Sequence, residues 1–294
     1  MPASWLANRN QTRAVLERHG FYLKHRLGQN FLVDDSVIAK ILRLAELDER
    51  DTVLEVGPGI GTLTVALLAS GATVVAVEAD PDLPAVLADT CARDSERLTV
   101  ISGDALRVGS DEIAGAAGRV PTKFVSNLPY QVAATLILKV LEEEPSVSRL
   151  VCMVQAEVAD RIAASPGTKA YGAYTAKLAL LGTVSGRFEV GPASFMPPPH
   201  VSSAVVRIER DPKVGQERVK DTMRVIDGAF CQRRKTIRNS LSAAGFERQV
   251  LDEAFAQAGI SATCRAETLA ACDFCRLEAA LAGLGAFEEG DHGE

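Results

Sequence analysis

Six consecutive residues, Val125-Ser126-Asn127-Leu128-Pro129-Tyr130, combine a short amide, a rigid proline and an aromatic ring. The side-chain oxygen of Asn127 and the carbonyl that precedes Pro129 can accept hydrogen bonds from an exocyclic amine. Tyr130 offers a face on which a flat ring can stack, and Pro129 keeps the preceding backbone extended. The stretch suits a planar ligand that carries an amine. Asparagine and proline are also ordinary residues of a turn between a strand and a helix, so that plainer interpretation stays open.

Small or polar residues stand at the ends of four predicted strands. The first strand is followed by Gly57-Pro58-Gly59-Ile60-Gly61, and the next three end beside Glu78, Asp104 and Asn127. Because ligands of open α/β sheets bind at the carboxyl ends of the strands, these four ends are predicted to outline one pocket. The glycines allow a backbone turn to approach a ligand closely. An acid in the position of Glu78 is where ribose hydroxyls are bound.

These residues indicate a nucleoside cofactor, and two cofactors compete. A nicotinamide dinucleotide site requires G-x-G-x-x-G, whereas here Gly61 comes one position early and Thr62 takes the sixth position. No arrangement of His and Arg suited to hydride transfer follows. The tighter glycine turn, the ribose acid Glu78 and a further acid, Asp104, for the adenine amine favour S-adenosylmethionine and methyl transfer over a dehydrogenase.

The elements that must position these residues alternate in type along the chain. Seven short apolar runs are predicted as strands, at residues 51–56, 73–77, 98–101, 123–126, 150–154, 184–190 and 202–208. The first five alternate with helical patterns, which indicates an α/β fold with a parallel sheet. After a linker at 211–215 the pattern is entirely helical. We therefore predict a domain over residues 1–210 that holds the site and a small helical domain over residues 211–294.

Composition limits the classes of protein to consider. The 294-residue chain is 47% hydrophobic and has a net charge of −6, which gives no global attraction to nucleic acid. Residues 1–11 lack the apolar segment of a signal peptide, and no apolar run approaches the ~20 residues of a membrane helix, so we expect a cytoplasmic protein. Six scattered cysteines indicate reduced thiols. Cys272 and Cys275 lie on a helical pattern without a nearby histidine, so we expect both to pack inward and no metal site.

Two segments of this acidic chain are locally basic. Five cations oppose one acid within residues 1–30, and four cations without an acid form the second segment. They are Arg9, Arg13, Arg18, Lys24 and Arg26 in the first segment, and Arg233, Arg234, Lys235 and Arg238 in the second. At helical spacing, Arg234 and Arg238 share a face. We interpret the second segment as a phosphate-binding surface in preference to a solvated helix face. For the first, a solvated arm and a phosphate-binding arm stay equally open.

Seven motifs, taken in order, resemble the KsgA-type rRNA adenine dimethyltransferases over nearly the whole chain. They occupy residues 27–32, 55–64, 127–130, 155–161, 171–172, 195–203 and 229–239. Members of this family methylate the amines of two adjacent adenosines near the 3′ end of small-subunit rRNA. His200 departs from the pattern, because the family usually has lysine there. The related Erm-type enzymes of large-subunit rRNA match less well in the sixth and seventh motifs, and a non-catalytic assembly factor on the same fold is a further alternative.

The resemblance implies a Rossmann-like, seven-stranded methyltransferase sheet with a small C-terminal helical domain. It implies S-adenosylmethionine as cofactor, and small-subunit rRNA in a pre-30S particle as partner; we expect a monomer. The implied cofactor-binding residues are Asn30, Leu32, Gly57, Gly59, Glu78, Asp104 and Asn127. The implied residues around the target adenine are Asn127, Pro129, Tyr130 and Phe195, the last as a second stacking face. Because an adenine amine is a weak nucleophile and the cationic amine formed by its methylation is very acidic, we expect positioning to matter more than a general base.

Overall fold

The computed structural model describes residues 3–21 and 30–287, and the chain divides into two compact units. The first comprises Met1–Ala159 with Val184–Arg210, and the second comprises Asp160–Thr183 with Asp211–Glu294. The boundary between Arg210 and Asp211 lies at the start of the predicted linker. The segment 160–183, which we assigned to the first domain, groups with the helices instead. Tyr171 explains this, because its hydroxyl donates to the carbonyl of Leu269 at 2.7 Å and its ring packs against that of Phe230.

The first unit is organised around a seven-stranded sheet of order β4-β3-β2-β5-β6-β9-β7. The strands of the chain are β1 Phe31–Leu32, β2 Thr52–Val56, β3 Thr73–Glu78, β4 Leu98–Ser102, β5 Lys123–Asn127, β6 Arg149–Gln155, β7 Gly182–Val190, β8 Phe195–Met196 and β9 Ser203–Arg210. The five strands from β4 to β6 run parallel, and β9 pairs antiparallel with β6. The short strands β1 and β8 form a separate antiparallel ribbon. The predicted α/β sheet is confirmed.

The order of the strands explains where a ligand can bind. From β2 the chain moves outward to β3 and β4 and then returns to β5 on the other side of β2. Such a reversal opens a crevice at the carboxyl ends of the two central strands. Here it places Gly57, which follows β2, near Asn127, which ends β5.

Helices cover this sheet and bury its apolar side chains. They are α1 Arg9–Arg18, α2 Asp35–Ala45, α3 Thr62–Ala69, α4 Leu83–Thr90, α5 Ser110–Ala117, α6 Ala133–Glu143 and α7 Ala156–Ile162, the last of which ends in the second unit. Asp34 caps α2 by accepting from the backbone N–H of Ser36 at 3.0 Å. Asn8 caps α1, because its side chain accepts from the backbone N–H groups of Asn10 and Gln11.

The second unit is helical. Its helices are α8 Ala173–Leu181, α9 Gln216–Phe230, α10 Ile237–Ala243, α11 Arg248–Ala258 and α12 Ala271–Gly283. A ring cluster forms part of its core, with Phe230 lying 6.2 Å from Tyr171 and 6.0 Å from Phe274 between ring centroids. The prediction that both cysteines of the CxxC motif pack inward was wrong for Cys272, which is exposed because it lies on the outer side of α12 near its start.

Residues 3–21 and 30–287 lack two features that would indicate other kinds of protein. None of the helices there has both the length and the apolar character needed to cross a lipid bilayer. No group of three or more His, Cys, Asp or Glu side chains in the same residues is placed to hold a metal ion.

Candidate active site

A cavity of about 240 Å³ opens at the carboxyl ends of the parallel strands. The predicted cofactor-binding residues and the predicted residues around the target base lie together in this cavity. Its lining includes Asn30, Leu32, Gly57, Gly59, Glu78, Asp104, Asn127, Pro129, Tyr130 and Phe195. They come from six separate stretches of the chain, so the fold of the first unit is what brings them together.

The turn after β2 strongly favours glycine. Gly57, Gly59 and Gly61 have φ angles of +67°, +62° and +89°, a region that other residues rarely adopt. Space is restricted as well, because a Cβ on Gly57 would lie 3.3 Å from Cγ of Pro129 and one on Gly59 would lie 3.1 Å from the ring of Phe31. The turn therefore presents bare backbone to the cavity, which a ligand can approach closely.

Glu78 ends β3 and ties this strand to the glycine turn. One carboxylate oxygen accepts from the backbone N–H of Gly59 at 3.1 Å, and the other accepts from that of Asp80 at 2.8 Å. The side chain is buried, and burial raises the pKa of Glu78 above its ordinary value. The acid is thus held in place by backbone donors at the wall of the cavity.

A second buried acid in the wall escaped the sequence analysis. Glu55 lies inside β2, is 1% exposed and accepts from the hydroxyl of Thr64 at 2.8 Å. Burial raises the pKa of Glu55 to about 8, so the group is largely protonated at neutral pH. The signal was available, because an acid inside an otherwise apolar strand is seldom buried without a purpose.

Asp104 follows β4 and lies at a more open part of the lining. Its side chain is 54% exposed, and Oδ1 accepts from the backbone N–H of Leu106 at 3.0 Å. Nε of Arg107 lies 3.8 Å from the other carboxylate oxygen. A carboxylate in this position can accept from a ligand amine at the rim of the cavity.

The stretch after β5 is fixed by bonds to two neighbouring strands. Asn127 is the register partner of Met153 on β6, and the N–H of Leu128 donates to the carbonyl of Met153 at 3.1 Å. The hydroxyls of Tyr130 and Ser203 lie 2.6 Å apart, which holds the tyrosine ring from its far end. Burial raises the pKa of Tyr130, so its hydroxyl stays protonated. The backbone at Asn127 and the ring of Tyr130 are therefore held in place by the protein itself.

Phe195 reaches the same cavity from β8. In the ribbon of β1 and β8, Leu32 is the register partner of Phe195, and Phe31 is that of Met196. The phenyl ring is 1% exposed although it contributes to the lining, so it is packed in the wall. The cavity thus has two aromatic rings, those of Tyr130 and Phe195, in its lining.

The lining fits a nucleoside with hydroxyl and amine donors. A glycine turn that a Cβ would block, the buried acids Glu55 and Glu78, and the exposed acid Asp104 provide close backbone approach and oxygen acceptors. The hydroxyl of Thr62 is also buried, and it has no hydrogen-bond partner within the described part of the chain. An orphaned hydroxyl at the start of α3 is what one expects where a ligand completes the bonding.

The comparisons with known proteins agree with this geometry. The family model for ribosomal RNA adenine dimethylase matches residues 20–282. The chain belongs to the ribosomal RNA adenine dimethylase family. A relative from Rhodococcus opacus, named ribosomal RNA small subunit methyltransferase A, is 44% identical over 92% of each chain. A relative of the same name from Corynebacterium jeikeium is 38% identical over 92% of this chain and 94% of its own.

Solved structures confirm the fold of this dimethylase. A dimethyladenosine transferase from Plasmodium falciparum superimposes with a TM-score of 0.74 at 23% identity, over 87% of this chain and 98% of its own. The 23S rRNA methyltransferase ErmE has a TM-score of 0.65 at 25% identity, over 86% of this chain and all of its own. The protein is an rRNA adenine dimethyltransferase with the Rossmann-like sheet and helical region that the sequence predicted.

The second basic segment of the enzyme differs from its prediction in one respect. Residues 231–235, which we call the basic turn, precede α10, and Thr236 caps that helix. Arg234 therefore lies outside the helix and does not share a helical face with Arg238. The guanidinium of Arg238 is bound to both carboxylate oxygens of Asp252, at 2.5 Å each. Helix α11 supplies this acid, so the charge of Arg238 is largely compensated.

The first basic segment of the enzyme is only partly described. Arg9 donates to backbone carbonyls of residues 193 and 195, and Arg18 lies 2.8 Å from a carboxylate oxygen of Asp89. Those two cations are engaged within the first unit. Lys24 and Arg26, together with residues 27–29 of the first motif, lie outside the described residues.

Proposed function

We propose that this enzyme uses S-adenosylmethionine to dimethylate the N6 amines of two adjacent adenosines near the 3′ end of small-subunit rRNA. One observation carries the proposal: the glycine turn with Glu78 and the stretch from Asn127 to Tyr130 line a single cavity. A cofactor and a target base bound there would be neighbours. The names of the Rhodococcus and Corynebacterium relatives support the small subunit as the source of the RNA.

We assign cofactor binding to residues at four strand ends and to residues in and beside the ribbon. Glu78 accepts from the ribose hydroxyls, Asp104 accepts from the adenine amine of the cofactor, and Gly57 and Gly59 give room beneath its methionine part. Asn30 and Leu32 cover it, and Asn127 lies at the boundary with the target base. When bound, the cofactor supplies a methyl group on a positively charged sulfur.

The base half of the cavity orients the amine of the target adenine. Oδ1 of Asn127 and the carbonyl of Leu128 accept from the two amine hydrogens, which favours a pyramidal nitrogen with a localised lone pair. Pro129 restricts the backbone of Leu128, which keeps this carbonyl pointed at the amine. The rings of Tyr130 and Phe195 stack on the base and compensate for stacking lost on leaving the RNA by ~1–3 kcal/mol each.

Catalysis in this site rests on position and charge. Neither His nor Cys occurs among the described residues that line the cavity. Methyl transfer to the neutral adenine amine would first give a cationic amine, which is very acidic, so its proton can leave to solvent without a dedicated base. The work left to the protein is to hold the amine in line with the methyl group and to exclude water.

We assign RNA phosphate binding to the basic turn and two neighbours that the structure adds. Arg233 donates to the carbonyl of Lys169 at 3.0 Å, which places two basic residues side by side. Nε of Arg233 and Nη1 of Arg265 lie 3.9 and 3.8 Å from the carboxylate of Glu267. The basic surface thus comprises Lys169, Arg233, Arg234, Lys235 and Arg265, all of them exposed and with one acid among them. Arg238, which sequence reasoning included, contributes less because Asp252 neutralises it.

The proposed partner is small-subunit rRNA in a pre-30S particle during late assembly. RNA that carries its bound proteins presents the 3′ end in one arrangement, and recognition of that arrangement fits a separate helical unit with a basic surface. We propose that the enzyme acts on this substrate as a monomer in the cytoplasm, where ribosomal subunits are assembled.

The test compares two RNA substrates. Purified small subunits that lack the modification and protein-free large-subunit rRNA are each incubated with enzyme and cofactor, and the RNA is analysed by mass spectrometry. We expect two dimethylated adenosines in the small-subunit RNA only. Modification of large-subunit rRNA would favour the function of ErmE, which the structural similarity makes the second candidate. Tight binding of small subunits without methylation would favour a non-catalytic assembly factor.

A further inference from the structure

The helix α1 sends one side chain to the strand that carries Phe195. Nη2 of Arg9 donates to the carbonyl of Ala193 at 2.5 Å and lies 3.3 Å from that of Phe195. The match to the family model begins at residue 20, so α1 lies before it. Arg9 therefore lies outside the family match, whereas the two carbonyls that it contacts lie inside it.

The ribbon that Arg9 contacts joins the two halves of the cavity. Leu32 of β1, on the cofactor side, is the register partner of Phe195 of β8, on the base side. The N–H of Val33 donates to the carbonyl of Ser194 at 2.8 Å, and the hydroxyl of Ser194 donates to Asp34 at 2.9 Å. Ser194, which directly precedes β8, is thus tied to β1 and to the cap of α2, and Arg9 adds bonds to the carbonyls of the residues on either side of Ser194.

Arg9 acts from a helix that is itself held firmly. Leu6, Val15 and Leu16 pack in one apolar cluster with Ile60 of the glycine turn and Leu83 of the cavity wall. At the start of the segment, the backbone N–H groups of residues 3 and 4 donate to the carboxylate of Asp35 at 3.1 and 2.8 Å. At the end of the helix, Arg18 is paired with Asp89 of α4. A guanidinium on this helix therefore has a defined position relative to the cavity.

We propose that Arg9 is a positioning residue for the target adenine. Its guanidinium binds two carbonyl oxygens two residues apart and so restricts the backbone on both sides of Ser194. The restriction keeps the ring of Phe195 in the wall when the base enters. The inference rests on the proposed function, because it takes Phe195 to be one of the two stacking faces. Arg9 touches neither base nor cofactor and acts through Phe195.

The experiment compares Arg9→Ala with Arg18→Ala. Each variant removes one positive charge and one contact of the same helix, but only Arg9 reaches β8. With small subunits and cofactor both saturating, we expect Arg9→Ala to lower kcat about fivefold to tenfold and Arg18→Ala to leave kcat within about twofold. The affinity for S-adenosylhomocysteine, measured by calorimetry, should change less than about twofold in both. Amide hydrogen exchange across residues 193–196 should become faster in Arg9→Ala alone.

Further variants make every outcome decisive. Arg9→Lys keeps the charge and can still reach a carbonyl, so an intermediate kcat is expected, and this variant serves if Arg9→Ala does not fold. An equal fall in kcat for the Arg9 and Arg18 variants, or an unchanged kcat for both, would overturn the positioning role. A rise in KM shared by both, with kcat unchanged, would overturn it as well and show that the helix binds phosphate instead. Phe195→Leu distinguishes the proposed stacking role of Phe195 from the positioning role of Arg9. Unchanged turnover of Phe195→Leu would refute the stacking role. Lowered turnover of Phe195→Leu together with normal turnover of Arg9→Ala would refute the positioning role alone.

Discussion

The cavity of the first unit and the basic surface of the second hold their functional side chains in opposite ways. In the cavity, Glu78 is bound by two backbone donors and Tyr130 by the hydroxyl of Ser203. On the basic surface, Arg234 and Lys235 are exposed side chains in a turn. Order in the first region is built into the folded protein, whereas in the second the proposed RNA would supply it.

This difference predicts how each region responds to substitution. Ordered groups act on one reacting atom at a fixed distance, so the loss of a single group can remove several kcal/mol of transition-state stabilisation. Exposed cations act through a screened field, so each contributes little and the contribution falls as salt rises. Substitutions in the cavity should therefore change rates, and those on the basic surface should change affinity and its dependence on salt.

The largest effect is expected for Asn127→Ala. The substitution removes the acceptor for the amine while β5 and its backbone bonds remain, so single-turnover methyl transfer should fall about 10³-fold. Affinity for S-adenosylhomocysteine, measured on the same preparation, should change less than about threefold, and this serves as the control for folding. Transfer at a rate within tenfold of the parent enzyme would mean that the amine is held elsewhere.

The next effect concerns stability and pH. The pKa of Glu55 is raised to about 8 because the group is buried, so the folded state favours its protonated form. This contribution is complete below pH ~4.5, and it is lost as the pH rises through about 8. Denaturant unfolding of the parent and of Glu55→Gln at several pH values should show the parent losing on the order of a few kcal/mol relative to the variant over this range. Parallel pH profiles would contradict a buried, protonated Glu55.

A smaller effect is expected for Gly57→Ala, and comparison with Gly118→Ala distinguishes the strain of a positive φ from the steric block of a Cβ in the cavity. Gly57→Ala forces an unfavourable φ and brings a methyl group to 3.3 Å from Pro129. Gly118 also has a φ of +67°, but a Cβ added there would point into open space, so Gly118→Ala is the matched control. Both should lose ~1–2 kcal/mol of stability. Only Gly57→Ala should weaken cofactor binding, by about tenfold or more, in a titration; equal affinities would show that the turn does not contact the cofactor.

The smallest effect is expected on the basic surface. Joint neutralisation of Arg234 and Lys235 to Ala should weaken binding of small subunits a few-fold near physiological salt. It should also reduce the slope of log affinity against log salt by about 1.5. Arg238→Ala is the comparison, because Asp252 already compensates its charge. If Arg238→Ala changed the slope as much as the double variant does, Arg238 would bind phosphate as strongly as Arg234 and Lys235 together, which would contradict its compensation by Asp252.

The sequence predicted that the candidate residues at strand ends would lie together, and these residues line one cavity. Gly57, Glu78, Asp104 and Asn127 each follow or end a short apolar strand, and the parallel sheet brings such ends together. What sequence missed depends on tertiary contacts. The pairing of Arg238 with Asp252 joins two helices, and strands of two residues, such as β1, are too short to show a period. Glu55 was overlooked because it was counted as part of an apolar strand.

The account depends on one cavity that holds cofactor and target base side by side. The most direct measurement is a crystal structure of the enzyme with S-adenosylhomocysteine and a short RNA that carries the target adenosines. We predict an adenine between the rings of Tyr130 and Phe195, with its amine within hydrogen-bond distance of Oδ1 of Asn127. An adenine bound outside the cavity, or a phenyl ring of Phe195 turned away from the base, would contradict it.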